Sequence, residues 1–126
     1  MVDQPEPAPS ADPPPSPIGF DIEGVLERFG GDRELLQEMV GIFFDDSPAV
    51  IDLLSDGLAQ HDSATVERAA HSLRGMIAYF DPAEVIETAR QIEQAGRQRD
   101  LEPVPSLMRR LAQQVELLKN ALQPYR

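Results

Sequence analysis

Between residues 18 and 122, apolar side chains return every three or four positions and never alternate every two. That spacing puts them on one face of helix after helix and leaves no run for a half-buried strand. The first series is Ile22, Val25, Leu26 and Phe29, with Asp21 as a cap and Gly30-Gly31 as a stop. Asp32 caps the next, with Leu35, Leu36, Met39, Val40 and Phe43 inward. Ser47-Pro48 interrupts it, as a kink or a new helical start, before Val50, Ile51, Leu54 and Leu58. His61-Asp62-Ser63 reads as a connection, with Asp62 or Ser63 capping a helix from Ala64 to Tyr79.

The fourth series is Val85, Ile86, Ala89 and Ile92. Asp81 is its expected cap, Pro82 its first residue and Glu84 the far side of a capping box. Arg97 to Asp100 end it. A last helix begins near Pro103 or Pro105 and carries Leu107, Leu111, Val115, Leu118 and Leu122. The pattern predicts an all-α domain over residues 18–126, an up-down four-helix bundle with a short additional N-terminal helix.

Residues 1–17 differ in kind. They hold seven of the twelve prolines, three acidic residues and no basic one. So little apolar surface does not offset ordering entropy, and the segment reads as a disordered, partly polyproline-like tail or linker. A proline-rich ligand for a recognition domain is the alternative.

The net charge of −11 argues against nucleic acid and against an anionic membrane surface as partners. No stretch approaches the ~20 apolar residues of a membrane span. The N-terminus has neither a basic region nor an apolar core of a leader. A soluble cytoplasmic monomer is expected. There is no cysteine and there are two histidines, so a metal site would need carboxylates, and no suitable cluster appears. Adjacent Asp45 and Asp46 diverge on a helix. The remaining charges read as bundle exterior.

One segment invites a chemical reading: Ala70-His71-Ser72-Leu73-Arg74-Gly75-Met76-Ile77-Ala78-Tyr79-Phe80. At about 100° per residue, Val66, Ala69, Ala70, Leu73, Ile77 and Phe80 share the core side. His71 lies opposite, with Gly75 and Ala78 beside it and Glu67 and Arg74 on the flank. A histidine on the apolar face would usually be a core residue, and a lone exposed one is usually only surface. Mid-helix glycine costs about 1 kcal/mol relative to alanine. Its place beside an exposed imidazole suggests access for a partner. His61, in a connection between acidic and small polar residues, has no such neighbourhood.

His71-Ser72-Leu73-Arg74-Gly75 resembles the motif His, any residue, Leu, Lys, Gly of the histidine-containing phosphotransfer (HPt) family. Phe20-Asp21-Ile22 through Phe29-Gly30-Gly31-Asp32 resembles that family's opening, and Leu35-Leu36 with Phe43-Phe44-Asp45-Asp46-Ser47-Pro48 its second helix. The similarity runs over about residues 18–122. The resemblance implies that His71 accepts a phosphoryl group and exchanges it with receiver-domain aspartates of response regulators, with a hybrid histidine kinase as a further partner. Arg74 would balance phosphoryl charge, and Glu67, Arg68, Arg74, Gly75 and Ala78 would meet the partner. Mg2+ would come with the receiver and the chain would need no cofactor of its own. It would be a carrier and not an enzyme, since no phosphate-binding glycine loop is visible.

Four positions depart from the family pattern. Arg74 stands where lysine is usual, keeping the charge on a planar fork. Asp81 stands where glycine is frequent. Met76 and Tyr79 are bulkier than is common and bear on the docking surface. Two other readings remain open at this point: a helical adaptor without phosphate chemistry, and the phosphoacceptor module of a larger hybrid or chemotaxis-type kinase. Starting at Met1 mildly favours an independent protein.

Overall fold

The computed structural model describes residues 17–126. Apart from Pro17, the segment read as a tail lies outside the described residues. Five α-helices are present among them and no strand: α1 (Ile22–Arg28), α2 (Arg33–Ala59), α3 (Ser63–Ala78), α4 (Ala83–Arg97) and α5 (Val104–Leu122), followed by a 3-10 turn, Gln123–Tyr125. The four long helices pack in a cycle. α3 lies against both α2 and α4, α4 meets α5, and α5 returns to α2. Their inward stripes enclose one core.

Aspartates start three helices, because a short carboxylate reaches the unpaired N–H groups of the first turn. Asp21 accepts from the Glu23 amide at 3.2 Å, Asp32 from Leu35 at 3.0 Å and Asp62 from Thr65 at 3.2 Å. Three helices end alike. The amides of Gly30, His61 and Arg99 bond the carbonyls of Glu27, Leu58 and Gly96. The next amide in each case, of Gly31, Asp62 and Asp100, reaches back to Leu26, Gly57 and Ala95. This Schellman closure needs a left-handed residue, and Gly30, His61 and Arg99 have φ of 65°, 54° and 58°. His61 is thus accounted for by a turn.

Four expectations are corrected. α2 runs from Arg33 to Ala59 with Pro48 inside it, so Pro48 does not start a new helix. The carbonyl of Phe44 merely loses its usual donor, because proline has no N–H. Leu35 points outward, 41% exposed, while Leu36, Val40 and Phe43 are buried. Its position on the wheel is at the stripe's edge. Asp81 does not cap α4. Pro82 holds that place with no side-chain bond, and the Glu84 amide donates to the Ile18 carbonyl at 3.1 Å, so no capping box forms. Asp81 instead has φ of 49°, a conformation that suits glycine, and its carboxylate pairs with Arg28 at 3.2 Å. Arg28 also donates to the carbonyls of Ala78 and Tyr79, fastening α1 to the end of α3. Finally, not every charge lies outside: Glu93 is buried in α4.

α3 and α4 approach closely because Gly96 has no side chain. A Cβ there would stand 2.7 Å from the Glu67 amide nitrogen and 2.9 Å from the Ser63 carbonyl oxygen. The Phe43 and Phe80 rings meet edge-on at 5.7 Å, tying α2 to the chain just beyond α3.

Gly96→Ala is expected to destabilise the fold by about 1–3 kcal/mol, the usual cost of overpacking. Gly41→Ala, with open space at its Cβ, is expected to stabilise by about 1 kcal/mol through helix propensity. Urea unfolding of both variants checks the pair. A second test concerns the α3 cap. Hydrogen bonds from the Thr65 hydroxyl and amide hold the Asp62 carboxyl below its ordinary value of 3.8. A lowered folded value means that the cap contributes fully above pH 3.8 and is lost as pH falls through that lower value. The difference in urea midpoint between wild type and Asp62→Ala should therefore be constant near neutral pH and shrink in acid.

Candidate functional site

The core side of α3 is as the wheel requires: Val66, Ala69, Ala70, Leu73 and Ile77 are all buried, with Phe80 just beyond. Anchoring these six turns His71 outward, and its side chain is 67% exposed. One turn on, Arg74 is half-buried on the same helix. Gly75 and Ala78 are exposed, and nothing lies within 4 Å of where a Gly75 Cβ would be. The smooth ground beside the ring is therefore present. Tyr79, at 50% exposure, and the half-buried Met76 stand at its edge.

The ring is not free to turn. Its Nδ1 lies 2.9 Å from Glu93 Oε2. Glu93 comes from α4, with a side chain only 5% exposed. A carboxylate oxygen is only an acceptor, so this contact assigns the Nδ1–H tautomer, in which Nδ1 donates to Glu93. Arg74 Nη2 also lies 3.3 Å from Nδ1. Two donors do not bond each other, and the shorter, charge-assisted contact to Glu93 prevails. The tautomer leaves the Nε2 lone pair available.

Two guanidiniums balance the buried carboxylate. Arg74 Nη2 is 2.8 Å from Glu93 Oε1, and Arg97 Nη2 is 3.1 Å from Oε2. Arg97 Nε donates to Glu67 Oε2 at 3.0 Å, so Glu67, expected at a partner interface, is also an ion-pair partner of α4. Arg68 is exposed and reaches the Thr65 hydroxyl at 3.4 Å. Glu67, Arg68, His71, Ser72, Glu93 and Arg97 line an open hollow of about 510 Å³.

Sequence reasoning missed Glu93 and Arg97. A signal was present: Glu93 stands four residues after Ala89, next to Ile92 and three before Gly96, inside the apolar face of α4. A lone carboxylate on such a face asks for a partner. No group of three or more metal-ligating residues occurs among the described residues. No helix there is long and apolar enough to cross a membrane.

A family model described as Hpt domain matches residues 38–121, from within α2 to the last turn of α5. The chain belongs to the Hpt domain family. The match omits α1, which the resemblance in sequence had included. The Hpt fold is seen again in the crystal structure of histidine-containing phosphotransfer protein B (HptB) from Pseudomonas aeruginosa PAO1. That structure is similar with a TM-score of 0.78 at 16% identity, over 86% of this chain and 95% of that one. At such identity the likeness is one of fold. No curated protein matches the sequence. Members of the Hpt family carry phosphoryl groups on histidine, and of the two histidines in this Hpt domain only His71 lies on a helix beside open ground.

Glu93→Ala should remove the bias toward the Nδ1–H tautomer. The ring nitrogen shifts of His71 in 15N NMR read this directly. Because the guanidiniums left behind are partly exposed and can be hydrated, the fold should lose far less than the ~3–5 kcal/mol of breaking a fully buried pair.

Proposed function

We propose that this chain is a phosphorelay carrier whose His71 Nε2 accepts a phosphoryl group from, and returns it to, the aspartate of a receiver domain. The observation that carries the reading is the Glu93 contact at 2.9 Å behind a ring that is otherwise exposed. It fixes the tautomer and orients the nucleophile, so positioning is already complete before the partner arrives.

The chemistry balances without a proton leaving Nε2. In the forward direction the Nε2 lone pair forms the N–P bond as the P–O bond to the aspartyl carboxylate breaks, and the aspartate departs with that electron pair. The ring becomes positive because it keeps its Nδ1 proton. Glu93, buried and charged, faces that proton and stabilises the cation that forms. Arg74, one turn along, supplies a positive charge for the phosphoryl oxygens. The return step is the reverse, and holding both states with the same groups suits a reversible carrier. Divalent-metal chemistry belongs to the receiver in this reading, and no cofactor is asked of this chain.

The docking ground is the α3 surface of Gly75 and Ala78, flanked by Glu67, Arg68 and Arg74. α3 gains its rigidity as one member of an up-down four-helix bundle acting as a cytoplasmic monomer. The absence of a side chain at Gly75 serves the partner, since nothing within the fold needs it.

The test is incubation with a phosphorylated receiver and Mg2+, scoring acid-labile, alkali-stable phosphate. Wild type should be labelled, and His71→Gln should be unlabelled yet folded. Gly75→Ala should gain about 1 kcal/mol of stability while transfer slows by about tenfold, equivalent to ~1.4 kcal/mol at the docking step. No label across a broad panel of receivers would favour a phosphate-independent adaptor.

A further inference from the structure

Arg97 takes no part in the reaction as drawn, yet it holds the site together in a particular way. It lies one turn after Glu93 on α4. Its Nη2 donates to Glu93 Oε2 at 3.1 Å, the same oxygen that accepts from His71 Nδ1 at 2.9 Å. Its Nε donates to Glu67 Oε2 at 3.0 Å, on α3. One guanidinium thus spans two carboxylates across the close approach that Gly96 permits.

The two cations beside Glu93 are held differently. Arg97 makes aligned hydrogen bonds through two separate nitrogens. Arg74 lies nearer, at 2.8 Å from Oε1, but the contact is an ion pair without hydrogen-bond alignment. Both Glu93 Oε1 and Arg74 Nε remain without a hydrogen-bond partner. Arg74, though less exposed than Arg97 (35% against 62%), is therefore the one not fastened to the carboxylate by an aligned hydrogen bond. It is also the one on the helix of the phosphoacceptor.

A carboxylate at 5% exposure is not left without a counter-ion cheaply. If Arg74 were its only cation, moving Arg74 to an incoming phosphoryl group would strand Glu93. We infer that Arg97 is the resident counter-ion of Glu93, a positioning residue that frees Arg74 to follow the phosphoryl group onto His71. The inference rests on the reading of His71 as phosphoacceptor. In the phosphorylated protein Glu93 keeps the Nδ1 proton and Arg97, while Arg74 turns from Oε1 to the phosphoryl oxygens. Without Arg97, Arg74 stays with Glu93 and the phosphoryl group lacks its cation.

The experiment compares wild type, Arg74→Gln, Arg97→Gln, Arg97→Lys and the Arg74→Gln/Arg97→Gln pair. Each is phosphorylated with phosphoramidate, a small donor that needs no partner. Initial labelling rates are followed, together with the Arg74 guanidinium signals in 15N NMR. Arg74→Gln and Arg97→Gln should each slow labelling by about tenfold, and the double variant should be little slower than either, as for residues acting through one another. Arg97→Lys should recover most of the rate. The Arg74 signals should move on phosphorylation in wild type and stay in place in Arg97→Gln. Multiplicative rate losses, or equal movement of the Arg74 signals with and without Arg97, would overturn the inference. A wild type that takes no phosphate would instead overturn the phosphoacceptor reading beneath it.

Discussion

The site depends on one carboxylate kept out of water between two helices. Glu93 is charged, buried and placed where an aliphatic residue would continue the apolar face of α4. Such a group is tolerated only when other charges and donors surround it. Here they are His71 and Arg74 from α3 and Arg97 from α4 itself. Burying Glu93 therefore obliges α3 and α4 to bring those side chains together, and Gly96 lets the two backbones come near enough. The histidine is aimed by the same interaction that makes the carboxylate bearable.

The division of labour between the helices follows. α3 presents the exposed ring and bare ground at Gly75 and Ala78, and α4 supplies the charge behind the ring. The remaining helices hold this pair still. α2 closes the far side through Leu36, Val40, Phe43 and Leu54, and α5 covers α4 through its stripe of four leucines and Val115. α1, outside the family match, is tied to the end of α3 by Arg28 and Asp81. A carrier needs little more than this. In the proposed scheme it binds no nucleotide, and its contribution would be a nucleophile already oriented, with charges placed to suit both phosphorylated and free states.

Much of this was legible in the residues. The stripe from Val66 to Phe80 is buried as its spacing requires, and His71 is exposed for the same geometric reason. Asp21, Asp32 and Asp62 cap because their side chains reach backbone a few residues away, a local matter that sequence conveys well. The misreadings are long-range. Asp81 looked like a cap until Arg28, some fifty residues earlier, was seen to take its carboxylate. Pro48 read as a kink or a new helical start, and α2 continues past it to Ala59. Glu93 looked like one more surface charge, because its partners lie on a different helix and only the fold brings them within reach. Leu35 shows the limit of a stripe: an edge position is in or out according to the neighbour it meets.

The central claim is that Glu93 occupies Nδ1 of His71 and so reserves Nε2 for phosphate. The most direct measurement is 31P–15N correlation on the phosphorylated, 15N-labelled protein. A coupling from phosphorus to His71 Nε2, with the Nδ1 proton still present, is the expected result. Phosphorus bonded to Nδ1, or carried on His61, would contradict the account.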